Sequence, residues 1–291
     1  MLELKIISQA LAVGVFIGLT YALVTLGFSL TFGIMRVINF AHGAFVMGGM
    51  YLALKTFQDL GMSPYFAVIF AIPIASAVGG AVYRLVFVPA SGRPLETQFI
   101  LGLGLAIFFE NAALYLFGAD IVAVNIDLST HRVAVADVGI SAAQLIAGCA
   151  SVFMIAVVAF VIYRTAFGRQ VRAVAQDPQA AQMCGIKVHR VNMAAFALGV
   201  TTAAIGGVLL IPFTAVSPPI GLAFSLKAFI VLVVAGVGTV PGLLVAGLFL
   251  GITESLTAAY LPSAWAQVFE LVAVVLLLIV RPQGLFGRET W

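Results

Sequence analysis

The sequence predicts an all-α polytopic membrane protein with about eight transmembrane or re-entrant helical segments in a single domain over residues 1–291. Three observations lead there. The chain is 63% hydrophobic and only 9% charged, where soluble domains carry roughly 25% charged residues. No water-soluble fold buries so much apolar surface at a mean hydropathy of +1.18. The apolar residues also come in continuous runs, unlike the short alternating segments of a membrane barrel, so the spans are helices. Finally, the basic residues sit at span ends. The net charge of +3 and the pI near 9.0 therefore reflect topology and give no reason to expect a nucleic-acid partner.

Runs of bilayer length lie at about 7–31, 64–88, 98–118, 140–163, 191–213 and 264–280. The first apolar run, from about Ile6 to Ile34, far exceeds the roughly 7–15-residue core of a signal peptide and reads as a span. Two glycine-rich segments, about 40–57 and 226–256, complete the set. Positive-inside bias places Arg84, Arg93, the 164–190 segment and the Arg281–Arg288 tail on the cytoplasmic side. On that reading 226–256 returns to the side it left, as a re-entrant hairpin or a pair of crossings. If the first span starts in the cytoplasm, the side to which Lys5 points, 36–57 returns likewise. The loop at 118–139 is then external. Alternation on either side of Ser129-Thr130 predicts a small β-hairpin there, either meeting an external partner or capping helix ends.

The two glycine-rich segments resemble each other. Gly33 to Gly43 contains the break Asn39-Phe-Ala-His42-Gly43, and Gly236 to Gly242 contains Gly236, Gly238 and Gly242. Each precedes an apolar helix with small residues. Broken helices at matching places in two halves point to an internal repeat with a transport pathway at its interface. Asn39, His42, Gly43, Gly236, Gly238 and Gly242 are therefore candidate pathway residues, as is Glu110. The competing reading is close helix packing, as in Gly14-x-x-x-Gly18 and Gly247-x-x-x-Gly251, with His42 a hydrogen-bonded core residue.

The most distinctive segment is a polar island from Arg164 to Arg190. Five of the fourteen Lys and Arg fall there, against one acid, Asp177. Asp177 is a good N-cap, Pro178 suits the first helical position, and Gly185 suits a left-handed C-cap. A short helix over Pro178–Cys184, roughly 10 Å long at 1.5 Å per residue, is predicted. Before it, Arg169, Arg172 and Gln176 share one helical face, and Val171, Val174 and Ala175 another. A sharply capped helix behind a basic amphipathic one has the shape of a peg that fits a groove. The alternative is a solvated loop that only satisfies the charge rule.

No Gly-Lys dipeptide occurs, so the chain has no P-loop. If transport is ATP-driven, the ATPase is another polypeptide. Cys149 in a span and Cys184 in the island cannot pair across a membrane, and no metal-ligand spacing or catalytic cluster points to an enzyme. Glu110, Asn111, Glu254 and Glu270 lie in or near apolar runs, where a carboxylate needs a partner or a proton. Structural pairing with Arg36 or Lys227 is preferred. A proton-coupled secondary transporter or channel using Glu110 or Glu254 is the rival class.

Four stretches carry a resemblance: TFGIMRVINFAHGAFVMGGMYLA, GRQVRAVAQDPQAAQMCGI, AGVGTVPGLLVAGLFLGITESL and RPQGLFG. Together, in order and over nearly the whole chain, they resemble the LivH-type permease of branched-chain amino-acid ABC importers. The resemblance implies an ABC importer permease fold that carries Leu, Ile or Val across the bacterial inner membrane. Permeases of the same family for urea, short amides or other amino acids are the alternative. It also implies a second, LivM-type permease, two cytoplasmic ATPases that hold the ATP, and a periplasmic binding protein, with no cofactor bound by this chain. The island would be the ATPase-coupling segment, through Gly168, Arg169, Arg172, Asp177, Pro178, Ala180, Ala181 and Gly185.

Overall fold

A computed structural model describes residues 2–124, 128, 131–135, 138–236, 239–262, 264–281 and 283–286. Gly238, Ser129, Thr130 and Arg288 lie outside the described residues. In chain order the elements are α1 (Leu2–Met35), α2 (His42–Leu60), a single 3-10 turn (Pro64–Phe66), α3 (Ala67–Val82) ending in a π turn (Tyr83–Phe87), and α4 (Leu95–Phe117). Two short strands follow, β1 (Arg132–Val135) and β2 (Val138–Ser141). Then come α5 (Ala142–Arg164), α6 (Ala166–Gln176), α7 (Pro178–Met183), α8 (Val188–Leu210), α9 (Ile220–Ala235), α10 (Val240–Tyr260) and α11 (Ala264–Val280).

Among the described residues six helices are long and apolar enough to cross a bilayer: α1, α3 with its flanking turns, α4, α5, α8 and α10. α2, α9 and α11 pack alongside them, so nine helices form the bundle among the described residues. The 226–256 segment accounts for the extra one, because it divides into the end of α9 and most of α10.

α1 and α8 form the centre. They run antiparallel, with Gly27 against Gly199 and Thr202, and Gly206 against Val24. α10 runs antiparallel to α1 along a glycine seam. A Cβ on Gly14 would lie 2.7 Å from the Ile252 Cα, and one on Gly18 would lie 2.7 Å from the Gly247 carbonyl oxygen. The two G-x-x-x-G motifs thus pack against each other, and small residues let the backbones touch where lipid offers no hydrophobic drive. The outer helices α3, α4, α5 and α11 keep large apolar residues exposed, among them Ile69, Phe108, Phe153 and Ile279.

The bundle has two distinct ends. At the hairpin end the Gln9 side chain donates to the Gly139 carbonyl at 2.8 Å and accepts from the Gly139 amide at 3.0 Å. At the basic end Ile34 packs with Val171, Val174, Ala181 and Val191. The first turns of α1 therefore lie opposite the island. If the island is cytoplasmic, α1 begins outside, contrary to what Lys5 implies. A single charge is a weak topological signal beside Arg36, Arg84, Arg93 and the island, all of which fall at the basic end. As a result 36–60 does not return to the side it left. Residues 36–41 are non-helical, and α2 then continues to the hairpin end, where Tyr65 donates to the Ala143 carbonyl at 2.8 Å.

β1 and β2 pair antiparallel, with Arg132 opposite Ser141 and Val135 opposite Val138. The hairpin is thus centred past the predicted Ser129-Thr130. Alternation alone cannot say which arms pair, and the Ser141–Gln144 capping box that starts α5 fixes the second arm.

The repeat also differs from the predicted pairing. α2 starts partway along the bundle, where His42 Nε2 donates to the Val24 carbonyl at 2.9 Å. α8 ends at Leu210, and residues 211–219 lead into α9. The starts of α2 and α9 meet: the Gly43 amide donates to Ser225 Oγ at 2.8 Å, and a Cβ on Gly221 would lie 3.2 Å from the Ala44 Cα. The 36–41 break thus meets the start of α9, the helix that follows 211–219, and not a matching break at Gly236–Gly242. Gly236 ends α9 at the basic end, and α10 starts at Val240. There the Leu285 and Phe286 amides donate to the Val234 and Ala235 carbonyls at 2.8 and 3.1 Å.

Candidate functional site

The island folds as predicted and is more tightly held than the sequence implied. Thr165 caps α6, its hydroxyl accepting from the Gly168 amide at 3.2 Å. A Cβ on Gly168 would run into the Val161 and Ile162 carbonyls, so only glycine allows this sharp corner between α5 and α6. Arg172 closes the corner from the other side by donating to the Ile162 carbonyl, with its guanidinium 6.0 Å from the Tyr163 ring centre. Arg169 stays exposed. The apolar face of α6, Val171 and Val174, is buried against α1 and α8.

Asp177 then turns the chain. Its Oδ1 accepts from the Gln179 and Ala180 amides at 2.8 and 3.0 Å, and Pro178 occupies the first helical position. α7 ends at Met183, with Cys184 as the cap residue, one short of the predicted boundary. Gly185 follows at φ 82°, a left-handed conformation that suits glycine. The Ile186 amide donates back to the Ala181 carbonyl at 3.1 Å, closing the helix end. Ala181 is buried against the core, whereas Met183 is 84% exposed. The result is a rigid knob whose apolar tip stands free. Behind it lies a crevice of about 700 Å³ lined by Tyr83, Lys187 and His189 among others. Sequence reasoning missed Thr165 and Met183. The Thr-x-x-Gly spacing was a legible cap signal for the first, and only the geometry exposes the second.

The predicted pathway residues do not converge on one place. Asn39, His42 and Gly43 lie together where α2 begins. Asn39 Oδ1 accepts from the Ala41 amide at 3.0 Å, and Ser225 Oγ donates to the Phe40 carbonyl at 2.5 Å. His42 is fully buried, with the Phe28 ring edge-on at 5.2 Å, as a hydrogen-bonded core histidine. Gly236 ends α9 at φ 81°, about 16 Å along the helix from Ser225. Gly242 packs beside it, against Ala235 and Phe286. Glu110 is half-buried on α4, and among the described residues it pairs with neither Arg36 nor Lys227.

Glu254 does pair. Lys227 Nζ on α9 donates to its Oε1 at 2.5 Å. Tyr21 on α1 joins them: its hydroxyl donates to Glu254 Oε2 at 2.7 Å and accepts from Lys227 at 3.0 Å. Glu270 on α11 lies within electrostatic reach of both charges. The expected partner, Lys227, is the one Glu254 takes, with Tyr21 a further partner that no sequence pattern indicated. No group of three or more His, Cys, Asp or Glu positioned for a metal occurs among the described residues.

The family model for "Branched-chain amino acid transport system / permease component" matches residues 10–281. The chain belongs to this family. The high-affinity branched-chain amino acid transport system permease LivH of Salmonella typhimurium is 33% identical over 94% of both chains, as is LivH of Escherichia coli. The corresponding permease BraD of Pseudomonas aeruginosa is 30% identical, over 96% of this chain and 95% of its own. No solved structure matches the chain. Within this permease family, the nine-helix bundle and the capped knob are the features from which a function can be built.

Proposed function

We propose that this chain is the LivH-type permease subunit of an ATP-driven importer that carries branched-chain amino acids across the bacterial inner membrane. It works with a second permease, two cytoplasmic ATPases and a periplasmic binding protein. The observation that carries the reading is the α6–α7 knob. Its outer tip presents Met183, and its inner face is wedged between α1 and α8 through Ile34, Val191 and Ala195. An ATPase groove that closes on the tip pushes a rigid lever against the two central helices. Those helices carry the discontinuities from which α2 and α9 start, so the push reaches the middle of the bundle. Such motion is productive only if the closed ATPase binds one state of the permease better than the other.

Gly168, Arg169, Arg172, Asp177, Pro178, Ala180, Ala181 and Gly185 serve this coupling in two ways. Gly168, Arg172, Asp177, Pro178, Ala181 and Gly185 shape and anchor the lever. Arg169 and the exposed side of α7 face the partner. ATP is held by the ATPases and no cofactor by this chain. The pairing of Glu254 with Lys227 speaks against Glu254 as a free proton carrier.

Deleting 178–184 should abolish co-purification with the ATPases while membrane insertion persists. Undiminished co-purification would refute the coupling role. Uptake of radiolabelled leucine, isoleucine and valine into proteoliposomes holding the full complex, against urea and acetamide, tests the substrate class.

A further inference from the structure

We propose that Lys227, Glu254 and Glu270, with Tyr21, form a station inside the bundle that binds the zwitterionic head of an amino acid during its passage. The inference rests on the amino-acid reading given above and names the residues that would serve it.

Three features separate this cluster from a structural ion pair. The first is its charge. Two carboxyl groups, Glu254 and Glu270, stand with a single ammonium, and Lys227 pairs with Glu254, so Glu270 is left without a cationic partner among the described residues. The second is Glu270 itself. It is 2% exposed, and its Oε1 has no hydrogen-bond partner among the described residues. A buried carboxylate oxygen without a donor is poorly satisfied, and an ammonium supplies both a donor and the missing charge. The third is access. The Lys227 and Glu254 side chains keep 14% and 26% of their surface open. A charged pair turned toward acyl chains is costly, so open charge within a bundle faces an aqueous pathway or a partner subunit.

The chemistry is complementary to an α-amino acid. Lys227 Nζ offers donors to a carboxylate, and Tyr21 holds that ammonium in place, its ring centre 4.9 Å away. Glu254 and Glu270 offer acceptors to an α-ammonium. Four different helices supply the charged and phenolic groups: α1, α9, α10 and α11. Relative movement of those helices therefore makes or breaks the station, which a binding step coupled to alternating access requires.

The test uses the complete transporter in proteoliposomes with its binding protein, and leucine as the probe. Three variants are compared: Glu270→Gln, Lys227→Met, and the charge exchange Lys227→Glu with Glu254→Lys. ATPase stimulation by the loaded binding protein reports docking and assembly, because it does not require a leucine site in the permease. The expected result is at least a ten-fold loss of leucine uptake with ATPase stimulation kept within two-fold of wild type. Wild-type uptake by the charge exchange and by Glu270→Gln would overturn the proposal and leave a structural brace. Failure of all three variants to assemble would also make the cluster a brace. If the wild-type complex itself moves urea or acetamide and no leucine, the substrate reading has failed before the variants are measured.

Discussion

The amide of Gly43 donates to Ser225 Oγ at 2.8 Å, and the same hydroxyl donates to the Phe40 carbonyl at 2.5 Å. One serine on α9, itself 1% exposed, thus serves a donor and an acceptor where α2 begins. Ser225→Ala leaves both groups unpaired, at a cost of about 1–3 kcal/mol for each. We expect a lowered melting temperature of the detergent-purified complex and a reduced folded yield. Gly43→Ala should be worse, because the added Cβ would fall 2.5 Å from the Ser225 amide nitrogen. An unchanged melting curve for Ser225→Ala would show that the contact has no weight.

The seam between α1 and α10 makes a sharper forecast because uncrowded glycines on α2 and α4 serve as controls. Gly18→Leu or Gly251→Leu must push two backbones apart, at roughly 1–3 kcal/mol or more for overpacking. Gly48 and Gly104 meet nothing within 4 Å, so Gly48→Ala and Gly104→Ala should be neutral or stabilising by up to about 1 kcal/mol, as expected for a helical glycine. Monodispersity on fluorescence-detected size exclusion after heating ranks the four.

Side-specific labelling checks the topology. In a Cys149→Ala background, the exposed Cys184 should react with a membrane-impermeant maleimide only in inside-out vesicles. Glu3→Cys should react only in intact spheroplasts. Labelling of both thiols from one face would contradict the opposition of the α1 start and the island.

Met183 tests the knob without disturbing it. At 84% exposure its replacement by Asp should leave folding and membrane insertion intact while weakening ATPase co-purification several-fold. Asp177→Ala acts differently, removing a cap worth about 1 kcal/mol from a six-residue helix. It should loosen α7 and reduce ATP-driven uptake more than it reduces ATPase retention.

The features legible in the sequence were those written in adjacent residues. Asp177-Pro178 and Gly185 specify α7 because caps act within one turn, and the structure differs from the prediction by a single residue. The two G-x-x-x-G motifs marked packing faces because small residues four apart share a helix side. What escaped was relational. Nothing near Asn39 states that the start of α9 packs beside the break. Two glycine breaks look alike in sequence even though one lies inside the bundle and the other at its basic end. Glu254, Lys227 and Tyr21 are far apart in the chain, so partners were legible as a choice among ions but not as a set. If the island is cytoplasmic, Lys5 points to the wrong side, because one charge at the start of a helix weighs less than a whole end of the bundle rich in arginine.

The bonds from Leu285 and Phe286 to the last carbonyls of α9 have a consequence for biosynthesis. During translation α9 leaves the ribosome about fifty residues ahead of the segment that completes its final turn. Until RPQGLFG arrives, those carbonyls stay open, and α10 and α11 must insert while α9 is unfinished. The segment therefore acts as a clasp fastened after the helices are in place, and nascent chains halted at α11 should be the ones that quality-control proteases recognise as incomplete.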